Sequence, residues 1–141
     1  CDTDPRVERM PGSRRIRYTT QDFFAAELAP ESVAALTCLS VMEHGMEPAA
    51  LLERAAKLLR PGGRLLVTTD YWPDPVDTTG IAVYGRPWRI FSRRHIEALL
   101  QTAHGLRLDP DGPVDLTAAA APIFWSGRSY TFLWLALAVR A

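Results

Sequence analysis

Apolar and polar positions change period several times along the chain, and each change marks an element. Residues 33–41, Val-Ala-Ala-Leu-Thr-Cys-Leu-Ser-Val, are a near-continuous apolar run. Such a run predicts a strand covered on both faces, as in a parallel sheet, although periodicity alone leaves a helix open. From Pro48 the period lengthens. Leu51, Leu52, Ala55, Leu58 and Leu59 recur on one helical face, with Glu53, Arg54 and Lys57 opposite. Pro48 is placed as a first-turn proline, and Arg60-Pro61-Gly62-Gly63 predicts the stop. Residues 64–69 then read at once as a strand.

The flanks are less regular. Residues 6–15, basic with Pro11-Gly12 in the middle, predict a loop. Ile16 to Thr20 alternates, with β-branched and aromatic side chains, and predicts a short strand. Residues 21–30 suit one helical turn and a loop. Residues 70–90 form a long loop rich in Pro, Gly and aromatics, a length that marks function or disorder in compact domains. Ser92 is placed to cap a second helix, with Ile96, Leu99, Leu100 and Ala103 on one face and Gly105 as its stop. A short strand at 106–108, an irregular stretch at 109–128 and a long strand at 130–139 complete the chain. This order is an α/β pattern. No helical run separates the last two strands, so they are expected to pair antiparallel at the sheet edge.

Composition narrows the class. The 141 residues suit one domain, and 48% hydrophobic with 23% charged residues is globular composition. Sixteen basic side chains balance sixteen acidic ones, which removes the electrostatic case for nucleic acid or an anionic membrane. The most apolar stretch, 131–139, is far short of the ~20 residues that span a bilayer. Cys1 and Cys38 are too few for a disulfide framework, and Cys38, inside an apolar run, reads as a small buried hydrophobe. A reducing cytoplasm is the expected location.

Candidate chemistry gathers at strand ends, where open α/β sheets bind their ligands. Glu43-His44 follows the first strong strand. His44 is a candidate base near neutral pH, or the pair lines a pocket and orients its loop. Asp70, Tyr71, Trp72, Tyr84 and Trp88 place aromatic faces beside carboxylates, as substrate-binding and especially sugar-binding surfaces do; the same rings could instead pack the loop onto the sheet. His44, His95 and His104 share no ligand spacing, so no metal site is expected. His95 and His104 read as surface or helix-dipole partners.

Ser40-Val41-Met42-Glu43-His44, the Leu-rich helix, and then Leu59-Arg60-Pro61-Gly62-Gly63-Arg64-Leu65-Leu66-Val67 resemble class I S-adenosylmethionine-dependent methyltransferases. In that family a strand ending in "xEH" leads through a helix to "LxPGGxLxV". Ile16 to Phe23 is similar to the family's third strand and the acid after it, and Phe91 to Leu100 to its "F(S/T)xxEL" helix. The closing strand resembles the family's antiparallel last one. The resemblance implies a Rossmann-like sheet that is incomplete, lacking the first strand and first helix, within a single partial domain over 1–141. It implies S-adenosylmethionine as cofactor. Asp2, with Asp4 second, would hold the ribose hydroxyls, Asp22 and Phe23 the adenine, and Ser40 the strand-end cofactor wall. It implies an enzyme with His44 and Glu43 at the reacting centre. The expected reaction is methyl transfer, to oxygen more readily than nitrogen, on a small molecule or saccharide precursor.

One departure is plain. No G-x-G turn occurs in these residues, although the family places one after its first strand. Loss of a central strand also predicts marginal stability and unpaired sheet edges. A non-catalytic remnant acting as an interaction or scaffold domain is therefore the second reading. A nucleotide-sugar-binding α/β module is a third, disfavoured by the antiparallel last strand. The oligomeric state is not legible.

Overall fold

The computed structural model describes residues 4–140. Cys1 and Asp2, the first choice for a ribose acid, lie outside the described residues. Asp4 accepts the backbone N–H of Arg6 at 2.8 Å and caps a 3-10 turn, Pro5–Arg9, where the sequence predicts a loop. The Arg6 guanidinium, and then that N–H bond, hold the Asp4 carboxyl down at about 2.

The elements that follow are β1 (Val33–Leu39), α1 (Pro48–Leu58), β2 (Leu59–Tyr71), β3 (Ala82–Val83), β4 (Arg86–Pro87), α2 (Arg93–Gly105), β5 (Leu108–Pro110), β6 (Ile123–Trp125) and β7 (Arg128–Val139). The main sheet runs β1-β2-β7-β5, and β6 pairs with the start of β7. β1 and β2 are parallel; β7 is antiparallel to both β2 and β5. The antiparallel pairing expected of the last strands is therefore present, with β7 inside the sheet and β5 at its edge.

Helix α1 forms where the period predicts it and buries Leu51, Leu52, Ala55 and Leu58. Its stop differs from expectation. The chain re-enters extended structure at Leu59, and Pro61-Gly62-Gly63 becomes an irregularity inside β2, where the pairing with β1 jumps from Val33–Leu59 to Ala35–Arg64. Gly63 has a steric reason to be glycine: a Cβ there would lie 2.8 Å from the Arg60 carbonyl oxygen and 3.2 Å from that of Ala34. Helix α2 begins at a capping box in which the Ser92 N–H donates to His95 Nδ1 at 3.1 Å. His95 is thus a cap partner rather than a free surface residue.

Both helices cover the same sheet face. Cys38, Leu65, Val67, Leu133, Leu135 and Leu137 pack there against Leu51, Leu52, Ala55, Ile96, Leu99 and Ala103. Two expectations fail at the other face and edge. β1 is not covered on both sides: Ala35, Thr37 and Leu39 are exposed, as are Phe132 (56%) and Trp134 (70%) farther across the sheet. Ile16 to Thr20 is not a strand. It contributes a single bridge, Ser13 to Ile16, because a strand needs a neighbouring ladder and none of the described strands reaches it. The outer edge of β1 has no partner strand among the described residues.

A second, smaller core forms in the region expected to be a long loop. Trp88, Ile90 and Tyr130 are buried together, with Trp72, Val76, Ile81, Val83 and Ile123 against them. The β3–β4 hairpin projects from this core.

Candidate functional site

Glycine and a compact β1–α1 connection set the site at the carboxyl end of β1. Ser40 adopts φ 52°, and its N–H donates to the Thr68 carbonyl at 3.2 Å and to Thr68 Oγ1 at 3.0 Å. The chain is thereby turned off the sheet. The His44 N–H donates to the Val41 carbonyl, and Gly45, at φ 78°, turns the chain toward α1. This loop forms one wall of a cleft of about 510 Å³. Asp22 and Phe24 line a second side, and Val83, Tyr84 and Arg86 of the hairpin a third.

The structure brings Asp22 and His44 into the same cleft, although 21 residues separate them. Asp22 Oδ1 accepts the Phe24 N–H at 2.9 Å, and Oδ2 has no hydrogen bond among the described residues. Phe23 meets Phe24 edge-to-face at 5.4 Å and lines an adjoining apolar hollow with Leu36, Cys38 and Val41. The Arg54 guanidinium sits 5.9 Å from the Phe23 ring centre. His44 is half-buried, and its Nδ1 is buried without a hydrogen-bond partner among the described residues. Tyr84 lies edge-on to His44 at 6.0 Å between ring centres. Ser40 turns the strand end but does not line the cleft.

Glu43 and Asp70 are buried carboxylates behind this wall, 1% and 5% exposed. Glu43 Oε2 accepts the Thr69 hydroxyl at 3.3 Å, and the Glu43 carbonyl accepts the Arg89 N–H at 2.9 Å. Burial pushes the Glu43 carboxyl up to about 7, with the Asp70 charge adding to the rise. Burial also raises Asp70, opposed by its hydrogen bond from Trp88 Nε1 at 2.7 Å and by the charge of His44. Because Glu43 binds its proton more tightly folded than unfolded, its contribution to stability is complete below about 4.5 and is lost as pH rises through about 7. We expect Glu43→Gln to be more stable than the native chain at about pH 8, by on the order of 2–3 kcal/mol at most, and no more stable at about pH 4. Urea midpoints at the two pH values check this; equal differences at both would remove Glu43 as the source.

The predicted substrate residues divide differently. Asp70, Tyr71, Trp72 and Trp88 do not line the 510 Å³ cleft. Tyr71 is 1% exposed, and its hydroxyl donates to the Leu116 carbonyl at 2.8 Å. Trp72 packs against the smaller core. Trp88 is buried over Asp70 and borders a neighbouring hollow of about 260 Å³ with Met42, Met46 and Ile81. Trp72 and Trp88, the latter held by Asp70, support the base of the hairpin, whereas Tyr71 packs in the main core, and the hairpin supplies the wall. Tyr84, one of the aromatics that the sequence places in the 70–90 loop, does line the cleft, together with Phe24, Val83 and Arg86, for which the sequence suggests no role. The available signal was Tyr84-Gly85 between short β-prone residues, a two-residue hairpin turn. Among the described residues no cluster of His, Cys, Asp and Glu could hold a metal, and no helix is long and apolar enough to cross a membrane.

A family model described as a methyltransferase domain matches residues 3–67. The ubiquinone biosynthesis O-methyltransferase of Xylella fastidiosa strain M23 is 43% identical over 67 residues, which is 45% of this chain and 26% of that protein. Its counterpart from Stutzerimonas stutzeri is 40% identical over 53 residues, covering 38% of this chain and 22% of the relative. The chain thus spans about a quarter of the length of the curated relatives it matches. Among solved structures, a S-adenosylmethionine-dependent methyltransferase of Methanosarcina mazei superposes with TM-score 0.65 at 10% identity, over 99% of this chain and 80% of that one. The geranyl diphosphate C-methyltransferase of Streptomyces coelicolor gives 0.63 at 17% identity, over 86% of this chain and 52% of that one.

Proposed function

We propose that the chain is a class I methyltransferase, with residues 3–67 matching that methyltransferase domain, and that it forms the acceptor side of a S-adenosylmethionine-dependent methyltransferase site. The observation that carries this reading is the shared cleft of Asp22, Phe24, Val41 and His44 at the carboxyl end of β1.

The residues present fit one flank of the cofactor. Asp22 keeps a free carboxylate oxygen beside the exposed Phe24 ring, an arrangement suited to an adenine amino group and ring face. Phe23 backs that segment, and Val41, just past the Ser40 turn, closes it from the sheet. The flank that a G-x-G turn would build is not encoded in these 141 residues. When bound, S-adenosylmethionine supplies a methyl group already activated on sulfur. The protein's own task is to align an acceptor atom and to take its proton. His44 is the group placed for that proton, with Glu43 and Asp70 buried behind it. We read the acceptor as a small molecule or saccharide precursor methylated on oxygen, in the cytoplasm, within one partial domain.

Titration with S-adenosylhomocysteine in a calorimeter tests the reading. We expect binding that weakens about tenfold or more in Asp22→Asn, which removes the negative acceptor. The same titration belongs on a version preceded by a strand and a G-x-G turn. No binding by either version overturns the enzyme. A second reading then stands, a non-catalytic scaffold, for which the open sheet face speaks.

A further inference from the structure

The acceptor cleft has a wall that the fold itself does not require. The tip of the β3–β4 hairpin carries Tyr84 at 93% exposure, a large aromatic ring that stabilises no core. Its position is nonetheless fixed. Tyr84 and Gly85 both take positive φ, 52° and 73°, the geometry of a tight two-residue turn. Tyr84 bears that conformation at a conformational penalty, because a non-glycine side chain disfavours it. At the base, the Trp88 N–H donates to the Ile81 carbonyl at 3.1 Å, and the Trp88 ring is bonded to Asp70 and set edge-to-face on Trp125 and Tyr130 at 4.9 and 5.5 Å. A rigid arm therefore holds two side chains toward the cleft, Tyr84 and Arg86.

Among the described residues, Arg86 is the one arginine or lysine lining this cleft. It is exposed; its backbone pairs with Val83, but among the described residues its guanidinium has no hydrogen bond and no ion pair. Two carboxylates share the lining, and neither takes it up. Asp22 is turned to the Phe24 N–H, and Glu47 sits at the start of α1. Between Arg86 and His44 the lining is apolar, with Phe24, Val41, Met46 and Val83. The cleft so framed has an apolar middle, a proton acceptor at one wall and a guanidinium at another.

We propose that the acceptor is a planar or apolar molecule bearing an anionic group, carboxylate or phosphate, which Arg86 binds while Tyr84 covers its ring. A guanidinium pairs with either anion through two parallel N–H bonds, which also sets the direction of the bound molecule. The arm is then the specificity element of the site, with Arg86 and Tyr84 as its reading residues. This inference rests on the reading of the cleft as an acceptor site.

The test is binding, read by the Tyr84 and His44 ring resonances in an NMR titration of the whole chain. The probes are 4-hydroxybenzoate, its neutral amide 4-hydroxybenzamide, phenyl phosphate, and inorganic phosphate alone. Arg86→Gln removes the charge, and Arg86→Lys keeps it without the fork; both are surface changes that leave the cores intact. We expect an anionic aromatic probe to bind the native chain about tenfold more tightly than the amide. That preference should vanish in Arg86→Gln and return in part in Arg86→Lys. Preference for 4-hydroxybenzoate over phenyl phosphate assigns a carboxylate, and the reverse a phosphate. Equal binding of benzoate and amide, or a preference that survives Arg86→Gln, overturns the proposal while leaving an acceptor cleft. Inorganic phosphate binding as tightly as phenyl phosphate also overturns it, since the apolar middle then contributes nothing. No shift at either ring with any probe overturns both the proposal and the acceptor cleft.

Discussion

Trp88→Ala is expected to destabilise the chain by about 3–5 kcal/mol, the range for removing a fully buried aromatic side chain. Trp88 is 3% exposed and is the centre of the smaller core. Its truncation removes two edge-to-face contacts, with Trp125 and Tyr130. It also strips Asp70 of its 2.7 Å donor and leaves a buried carboxylate with less compensation. The two losses act together, so Trp88→Phe separates them. Phe keeps an aromatic ring, though a smaller one, and loses the N–H, and about 1–3 kcal/mol is expected. Urea unfolding followed by circular dichroism measures both. A Trp88→Ala midpoint close to native would show that the segment before α2 is held by something other than Trp88. If Trp88→Ala does not fold at all, the Phe variant still decides, because a native-like midpoint there would deny the Asp70 bond any weight.

The helical and central sheet elements were legible because their signals are local. The 3.6-residue period of Leu51, Leu52, Ala55 and Leu58 and the proline at position 48 are enough to place α1. Ser92 and Gly105 bracket α2 in the same way. Ile16 to Thr20 has the composition of a strand, but strand formation depends on a partner that local sequence does not contain. The apolar run 33–41 was read as buried on two faces for a similar reason. Hydrophobicity says what a strand prefers to bury, while the crossover through α1 covers one side only. Leu39, Phe132 and Trp134 remain exposed on the far side, so the composition of this sheet suits a covered state.

The site shows the same division. Asp22 and His44 were selected from strand ends and from a family likeness, and one cleft contains both. The aromatics of 70–88 were selected for substrate contact, and Trp88 and Tyr71 serve instead as packing. Sequence cannot tell a ring that faces ligand from a ring that anchors the loop, because both uses favour the same residue types. The hairpin resolves the matter: the anchors lie at its base and the exposed ring, Tyr84, lies at its tip.

His44→Gln is expected to reduce kcat for methyl transfer to a hydroxyl acceptor by about 10²–10⁴-fold, with little change in KM, in a chain shown to bind S-adenosylhomocysteine. A methyl group on a sulfonium needs no further activation, so the protein's leverage is on the acceptor proton. His44 is the one imidazole lining the cleft. Burial raises the Asp70 carboxyl and the charge of His44 lowers it, so Asp70 is a charged neighbour of His44. Asp70→Asn tests that link, since it keeps a hydrogen-bond acceptor for Trp88 Nε1 while removing the charge. A positioning role for Asp70 predicts an altered pH profile of kcat in Asp70→Asn, whereas a purely structural role leaves the profile in place and lowers only stability. A His44→Gln chain that retains native kcat would reassign His44 to the cleft wall. The acceptor would then lose its proton to solvent, and the contribution of this chain would be alignment alone.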